Sequence, residues 1–192
     1  MTSIIVYATL HLGSSIKNKK GNLMKIDVKS GDITQTPSDA VITAINSGGM
    51  WFGGIDGAIK RVAGNIFHAQ VAKALPLKHG SIVIAKAGGK PHQGRFSSVV
   101  FVIDDLESPL SDVVRNGLTA AAKAGFKSVT LPTIRMGVML GTVEKTPEQT
   151  IQEMVRGVKL FTEKGGTVNQ ITFVVYNDPV TQEILQQKLA EM

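Results

Sequence analysis

Cysteine is absent from this sequence of 192 residues. Its absence excludes disulfide bonds, thiolate metal sites and a cysteine nucleophile, and it is consistent with a reducing compartment. No stretch approaches the roughly 20 apolar residues that a transmembrane helix needs. The opening Met1-Thr2-Ser3 also lacks the basic residues of a signal peptide. We therefore expect a soluble, intracellular, cytoplasmic protein with no membrane partner.

Long runs of one charge are also absent, although the net charge is +6. A basic surface favours anionic partners. Lys17, Lys19 and Lys20 lie in residues 1–23, which hold no acidic residue, so the remaining residues carry +3 of the total +6. No run of five basic residues occurs, and no stripe alternates basic with aromatic residues. The sequence therefore gives little support for a nucleic-acid partner.

Metal-binding motifs are missing as well. None of the histidines shows the spacing of a metal site; they are His11, His68, His79 and His92. We predict that His68 is a surface or packed residue. Asp104 and Asp105 could bind a cation, but a solvated strand end is the better interpretation. We predict no metal and no cofactor.

Apolar runs and amphipathic periods alternate along the chain. Strands are predicted at residues 3–12, 24–28, 40–45, 81–85, 98–103, 127–131 and 171–176, and helices at 56–75, 110–124, 147–164 and 180–189. A basic loop is predicted at 14–22. Thr146 and Gln149 predict a capping box at the start of the third helix, and Gly125 is placed to end the second.

Strands that alternate with helices predict an α/β fold. We expect a single domain over residues 1–192, a three-layer α/β/α sandwich with a mixed, mostly parallel central sheet. The first strand is expected to add an antiparallel edge, so that residues 1–23 form an extra N-terminal strand and the basic loop. A monomer is expected.

Three segments with unusual sequence follow predicted strands, at residues 30–34, 46–56 and 132–141. In open α/β sheets, ligands bind outside the carboxyl ends of the strands. The second segment has four glycines between Gly48 and Gly54 and leads directly into a helix. Glycines expose backbone N–H groups, and a helix N-terminus adds partial positive charge. The segment is neither a Walker A loop nor GxGxxG, so a phosphate cradle and a flexible glycine loop are equally good interpretations.

The same segments resemble the macrodomain family. Gly31-Asp32-Ile33-Thr34 matches its early signature, and residues 40–46 match its apolar strand that ends in asparagine. Asn46, six intervening residues and then Gly53-Gly54-Ile55-Asp56 are similar to the pattern of hydrolytic, MacroD-like members. The resemblance covers residues 24 to 190. It implies that the protein binds ADP-ribose, either free or attached to a protein.

The resemblance also implies roles for residues at the two ends of the ligand. Asp32 would accept a hydrogen bond from the adenine amino group, with Ile33 beside it, although Asp32 could instead cap a turn. Tyr176 or Asn177 could flank the adenine, and the alternative for Tyr176 is core packing. Backbone N–H groups would hold one phosphate at Gly53, Gly54 and Ile55 and the other at Met136, Gly137, Val138 and Met139.

Catalysis in the family points to Asn46 and Asp56. Asn46 would hydrogen-bond the distal ribose and help to place a water molecule, or else fix the glycine loop. Asp56 would orient and partly deprotonate that water as a general base, or else cap the helix. The reaction would release ADP-ribose from an ester-linked protein side chain, or acetate from O-acetyl-ADP-ribose.

The third segment departs from the family pattern. Hydrolytic relatives usually carry Gly-Val/Ile-Tyr-Gly, whereas Met139 follows Gly137-Val138 here. Trp51 and Phe52 could replace the missing aromatic. Three hypotheses remain: a hydrolase, a reader that binds ADP-ribose without cleaving it, and a divergent domain that binds RNA or another nucleotide. The Asn46/Asp56 pair favours the hydrolase, Met139 favours the reader, and Asp32 argues against the third hypothesis.

Overall fold

The computed structural model describes residues 14–17, 21, 23–49 and 54–192. Its strands are β1 (Ser14–Lys17), β2 (Leu23–Ser30), β3 (Ser38–Ile45), β4 (Ile82–Lys86), β5 (Phe96–Ile103), β6 (Ser128–Leu131) and β7 (Gln170–Val175). Its helices are α1 (Ile55–Ala63), α2 (His68–Lys73), α3 (Leu110–Lys123), α4 (Pro147–Glu163) and α5 (Pro179–Ala190). Short 3-10 turns cover Ile33–Gln35 and Gly137–Met139.

The strands form one seven-stranded sheet in the order β1-β2-β7-β6-β3-β5-β4. The five central strands run parallel, and β1 and β4 pair antiparallel at the two edges. The predicted mixed, mostly parallel sheet is therefore confirmed. Parallel strands end at a common edge, so the loops that follow β3, β5 and β6 meet on one side of the domain.

Helices cover both faces of the sheet and complete the predicted three-layer sandwich. The larger core lies between the sheet and helices α3, α4 and α5, and the smaller one lies between the sheet and α1 and α2. Neighbouring residues of β3 serve opposite cores: Ile42 packs in the larger and Val41 in the smaller. This two-sided burial explains the continuous apolar runs of the central strands. Within the described ranges, no helix is long and apolar enough to cross a membrane.

The N-terminal edge strand differs from the prediction. The strand expected at 3–12 lies outside the described residues. The basic loop expected at 14–22 is wrong for its first part, because Ser14–Lys17 forms β1 and pairs with β2. Ser15 and Lys17 are exposed, whereas Ile16 packs against the larger core. A single apolar residue that faces the core is sufficient to attach so short an edge strand to the domain, because its other face is in contact with solvent.

The helix predicted over 56–75 is in fact two helices. Gly64 adopts a φ of 55° and ends α1, with its N–H donating to the Lys60 carbonyl at 2.8 Å. A positive φ is easy for glycine and interrupts a helix. Both parts still face the smaller core, through Ile59 in α1 and Val71 in α2. The hydrophobic period therefore identified the buried face correctly but not the break.

The start of α4 follows the predicted cap in part. The N–H of Gln149 donates to the Thr146 hydroxyl at 3.2 Å. The Gln149 side chain accepts from the N–H of Lys145 at 2.8 Å, one residue before the N-cap. A capping box would instead use the N–H of Thr146. The displaced bond fixes the segment that immediately precedes α4.

Two helical glycines should respond oppositely to alanine. A Cβ at Gly157 in α4 would lie 2.7 Å from both the Ser111 carbonyl oxygen and the Val114 Cβ in α3. We expect Gly157→Ala to lower the free energy of unfolding by about 1–3 kcal/mol, because the helices cannot separate without losing packing. Gly57 in α1 has no atom within 4 Å of that position, so Gly57→Ala should raise it by about 0.5–1 kcal/mol. Urea unfolding measures both, and a stable Gly157→Ala variant would contradict the close packing.

Candidate functional site

A cleft of about 320 Å³ opens at the carboxyl ends of β3, β5 and β6. Its lining includes most of the residues assigned from sequence to the phosphates and the distal ribose, namely Asn46, Gly54, Ile55, Asp56, Met136, Gly137, Val138 and Met139. Gly53, Trp51 and Phe52 lie outside the described residues. The structure thus brings the second and third sequence segments together around one cavity.

Two backbone ties fix the end of β3, where the half-buried Asn46 faces the cleft. The N–H of Asp104 donates to the Ile45 carbonyl at 2.7 Å. The N–H of Ser47 donates to the Asp105 carboxylate at 2.8 Å. Asn46 lies between these two bonds, so its backbone is held on both sides by the residues that follow β5.

Helix α1 begins at the cleft and places Asp56 in its first turn. Gly54, with a φ of 59°, occupies the N-cap position, so the interpretation of Asp56 as the cap is wrong. The Asp56 side chain is buried, with Nε2 of His68 4.0 Å from its Oδ1. Burial raises the pKa of Asp56 above its ordinary value, and the imidazole opposes that rise without reversing it.

His68 is 2% exposed and packs against Phe101, with the ring centroids 5.5 Å apart. It is a packed residue, as predicted, and it lies behind Asp56 on the side away from solvent. In the parts of the chain that the structure describes, no group of three or more histidine or acidic side chains is placed to hold a metal ion.

The loop that follows β6 is shaped by its backbone conformation. Gly137 has a φ of 77° and begins a 3-10 turn that ends at Met139. The N–H of Met136 donates to the Thr133 carbonyl at 3.3 Å, so it is already engaged. Among the described residues, the N–H groups of Gly137, Val138 and Met139 have no acceptor outside their own turn. The first residues of a helical turn direct such groups outward, which makes these three the better candidates to bind an anion.

Arg135 immediately precedes this loop and is buried against two carboxylates. Its Nε and Nη2 donate to the two oxygens of Asp104 at 2.9 and 2.8 Å. Its Nη1 donates to both oxygens of Glu144 at 2.9 and 3.2 Å, and Nη2 also donates to the Ser108 carbonyl at 2.7 Å. These five contacts match the five N–H groups of a guanidinium. Arg135 therefore has no donor left for a ligand and acts by holding the loop.

The Arg135 cluster, defined here as Asp104, Arg135 and Glu144, is almost completely buried. The side chain of Arg135 is 3% exposed, that of Asp104 4% and that of Glu144 7%. Burial alone would lower the pKa of Arg135, but the hydrogen bonds and charges of Asp104 and Glu144 outweigh it and raise the pKa. The arginine stays charged, and the cluster as a whole carries one net negative charge.

The cluster corrects the sequence interpretation of Asp104 and Asp105. Neither belongs to a solvated strand end or a cation site: Asp104 is buried against Arg135, and Asp105 is half-buried on Ser47. The sequence did carry a signal for this, because Arg135 is the only charged residue between Lys127 and Glu144. A lone charge in an apolar loop needs a buried partner.

A second group of candidates lies beyond the cleft, at the ends of β2 and β7. The N–H of Gly31 donates to the Val175 carbonyl at 3.0 Å, which places the Asp32 loop beside Tyr176 and Asn177. Tyr176 is 71% exposed, so the core-packing interpretation is wrong. Asn177 adopts a φ of 50°. The side chain of Ile33 is buried in the smaller core, which leaves only its backbone for a ligand.

Asp32 does cap a turn, as the alternative interpretation held. Its Oδ1 accepts from the Thr34 N–H at 2.8 Å and from the Thr34 hydroxyl at 2.7 Å. Within the described residues, both bonds fall on Oδ1. The second carboxylate oxygen is therefore the one that could accept a hydrogen bond from a ligand, and the two roles are compatible.

Removing Arg135 should destabilise the protein strongly. In Arg135→Met, two buried carboxylates lose their counter-charge, and the free energy of unfolding should fall by about 3–5 kcal/mol. Arg156 is the matched control, since it is exposed and makes one ion pair, with Glu153. Arg156→Met should change stability by less than about 1 kcal/mol. Equal effects of the two variants in denaturant unfolding would show that the Arg135 cluster does not hold the cleft.

Known proteins are similar to this chain in sequence and in fold. The family profile described as Macro domain matches residues 42–149. A protein of Escherichia fergusonii named O-acetyl-ADP-ribose deacetylase is 33% identical over 165 residues, which cover 80% of this chain and 89% of the relative. A Klebsiella pneumoniae protein of the same name is 30% identical over 172 residues, which cover 85% of this chain and 95% of the relative.

The solved macrodomain of Trypanosoma brucei in complex with ADP-ribose superimposes with a TM-score of 0.71 at 22% identity, covering 84% of this chain and 68% of that one. This chain therefore belongs to the macrodomain family.

Proposed function

We propose that the cleft binds ADP-ribose and that the protein hydrolyses an ester on its distal ribose, in O-acetyl-ADP-ribose or in a mono-ADP-ribosylated protein. The observation that carries the proposal is the position of Asp56. Its buried carboxylate faces the same cavity as Asn46 and the loop of Gly137 to Met139. The relatives named O-acetyl-ADP-ribose deacetylase support the same reaction.

Backbone groups would hold the diphosphate in this proposal. The start of α1 offers N–H groups and the positive end of a helix dipole at Gly54 and Ile55. The N–H groups of Gly137, Val138 and Met139 face the same cavity from the opposite loop. The Arg135 cluster carries net negative charge and has no free donor. It would therefore hold the loop after β6 in position without attracting the diphosphate itself.

The adenine would lie at the ends of β2 and β7. The second carboxylate oxygen of Asp32 would accept from the adenine amino group, and the exposed ring of Tyr176 would stack beside it. The carboxyl ends of these strands adjoin the loop after β6 because β7 pairs with both β2 and β6. The ligand would thus run across neighbouring strand ends, from β2 to β3.

The chemistry would use one water molecule. Asn46 and Asp56 would orient it, and Asp56 would take its proton as the water oxygen bonds to the ester carbonyl carbon. The carbon–oxygen bond to the ribose would then break, and the proton would pass from Asp56 to the departing ribose oxygen. The products of O-acetyl-ADP-ribose would be acetate and ADP-ribose.

One observation favours the reader as a second candidate. Met139 stands at the position where hydrolytic relatives carry an aromatic, and Val138 beside it is exposed. A distal ribose that is not held firmly would bind without reacting. Turnover by the wild-type protein decides between hydrolase and reader.

Replacing Asp56 with asparagine should separate binding from turnover. We expect Asp56→Asn to slow hydrolysis of O-acetyl-ADP-ribose by about 10²–10⁴-fold, the range for a general base, with little loss of ADP-ribose affinity. Acetate release and calorimetry measure the two quantities. Asp112→Asn is the control, because Asp112 also lies in the first turn of a helix but pairs with Arg115 and does not line the cleft. Undiminished turnover in Asp56→Asn would remove the role assigned to Asp56.

The Asp56 carboxylate should make stability fall and activity rise as the pH increases. Because burial raises the folded-state pKa of Asp56, its contribution to stability is full at pH below the unfolded pKa and is lost as pH rises through the folded pKa. Turnover needs the ionised form and should rise over that same interval. We expect Asp56→Asn to be at least as stable as the wild type at neutral pH. A clearly less stable variant would contradict this sign.

Two substitutions at Asp32 separate its cap from its proposed contact with adenine. Asp32→Asn keeps an acceptor for Thr34, whereas Asp32→Ala keeps none. Both should weaken ADP-ribose binding by about 1.5–3 kcal/mol, the range for a hydrogen bond to a charged group. Binding of ribose 5-phosphate, which lacks adenine, should not change in Asp32→Asn. If Asp32→Asn binds ADP-ribose like the wild type, the carboxylate does not recognise adenine.

A further inference from the structure

Positive charge is concentrated in one continuous part of the chain. Residues 57–103 contain no acidic residue and seven basic ones, which we call the basic edge: Lys60, Arg61, Lys73, Lys78, Lys86, Lys90 and Arg95. The whole chain has 21 basic and 15 acidic residues. The rest of the chain therefore carries 14 basic against 15 acidic side chains, and the entire positive excess comes from this stretch.

The charges of the basic edge are exposed and not neutralised. All seven side chains are exposed to solvent. None of them makes an ion pair with any residue in the described ranges. Some basic residues elsewhere do pair, as Lys25 does with Asp27 and Lys188 with Glu191, whereas others, such as Lys123 and Lys159, make no ion pair within the described residues. The basic edge differs because residues 57–103 contain no acidic residue, which leaves its positive field uncompensated.

The fold brings these residues together around the edge strand β4. The N–H of Gln93, in the turn between β4 and β5, donates to the Val62 carbonyl at 2.9 Å, which joins the part of α1 that follows Arg61 to the turn between Lys90 and Arg95. The Gln70 side chain bonds both the N–H and the carbonyl of Lys86, at 3.2 and 2.8 Å. Helices α1 and α2 and the β4 edge therefore present one surface.

The part of this surface around Lys86 and Lys90 is distinct from the cleft, whereas Lys78 lies near the cleft end of β5, where the N–H of Gly80 donates to the Ile103 carbonyl at 2.8 Å. Lys86 pairs with Ser98 near the beginning of β5, whereas the cleft lies at the carboxyl end of that strand. Lys86 and Lys90 lie at the end of β4 that is remote from Asp56.

The composition of the surface indicates the class of partner. Among the described residues of this stretch, Leu75 is the one large hydrophobic side chain that is exposed. Protein interfaces depend on buried aromatic, arginine or aliphatic anchors in pockets, and base stacking needs exposed aromatics. Contacts to a phosphate backbone need neither, because exposed lysines and arginines that release counterions supply the affinity. We infer that the basic edge binds nucleic acid through its phosphate backbone, without sequence preference.

The experiment is fluorescence anisotropy of two labelled DNA duplexes of unrelated sequence, titrated with the full chain between about 50 and 200 mM salt. The test variant is Lys60→Gln/Lys86→Gln/Lys90→Gln. The matched control is Lys123→Gln/Lys159→Gln/Lys164→Gln, whose lysines are also exposed and outside any ion pair in the described residues. Both variants remove three charges from the same total, so net charge is held equal.

We expect the wild type to bind both duplexes alike. In the test variant, the slope of log affinity against log salt should become shallower by about 2–3, since each phosphate that a lysine no longer neutralises reduces the slope by about one. Affinity at low salt should fall by about tenfold or more. The control variant should keep the wild-type slope. Both variants should keep the unfolding free energy and the ADP-ribose affinity of the wild type.

Several outcomes would overturn the inference. Equal reductions of affinity in the two variants would mean that net charge alone attracts the duplex. No measurable duplex binding at low salt would remove the surface as a nucleic-acid site. Tighter binding of polyglutamate than of either duplex would assign the surface to an acidic protein. The result does not depend on the proposed hydrolysis, because Asp56→Asn should bind the duplexes like the wild type.

Discussion

The buried guanidinium of Arg135 is the contact on which the cleft depends. It joins Asp104 after β5 and Glu144 before α4 to the loop after β6, so three chain segments converge on one side chain. Burying three charges is costly, and the cost is offset only when every donor and acceptor is satisfied. The Asp104 carboxylate also accepts from the N–H of Leu106 at 2.9 Å. Leu106 and Arg135 both have positive φ, at 64° and 61°. One carboxylate thus stabilises two strained residues at the edge of the site.

In this arrangement, the Arg135 side chain holds the structure of the site, and backbone groups are left to bind a ligand. Because Arg135 is fully engaged inside the protein, an anionic ligand would be held by N–H groups of α1 and of the 3-10 turn at Gly137. The carboxylate proposed for catalysis has the opposite character. Asp56 is buried, and the effect of burial on its pKa outweighs that of His68, so its ionised form is unfavourable in the folded state. A carboxylate that is poorly stabilised in this way is a better proton acceptor, and it lowers stability where it is ionised.

Periodicity and glycine loops were sufficient to predict the layers, the parallel sheet and the segments that line the cleft, because these depend on short-range patterns. They failed where long-range contacts decide the structure. The partner of Asp104 is 31 residues away along the chain, and the sign of it in the sequence is the isolated charge of Arg135, which does not identify the residue it pairs with. The break at Gly64 was missed because both halves of the helix bury the same face. Tyr176 follows directly on the apolar strand β7 and continues its sequence pattern, yet it is exposed to solvent. The charge of the basic edge was also overlooked, because it consists of an absence of acidic residues and not of a basic run.

We propose that one continuous site, from the Asp32 loop to Asn46, accommodates a whole ADP-ribose molecule. Calorimetric titration of the wild-type protein with ADP-ribose, AMP and ribose 5-phosphate tests this proposal. ADP-ribose should bind much more tightly than either fragment, because only the intact ligand reaches both ends of the site and the two loops proposed to hold its phosphates. Equal affinities for ADP-ribose and AMP would contradict it, since the distal ribose would then make no contact with the cleft that holds Asp56.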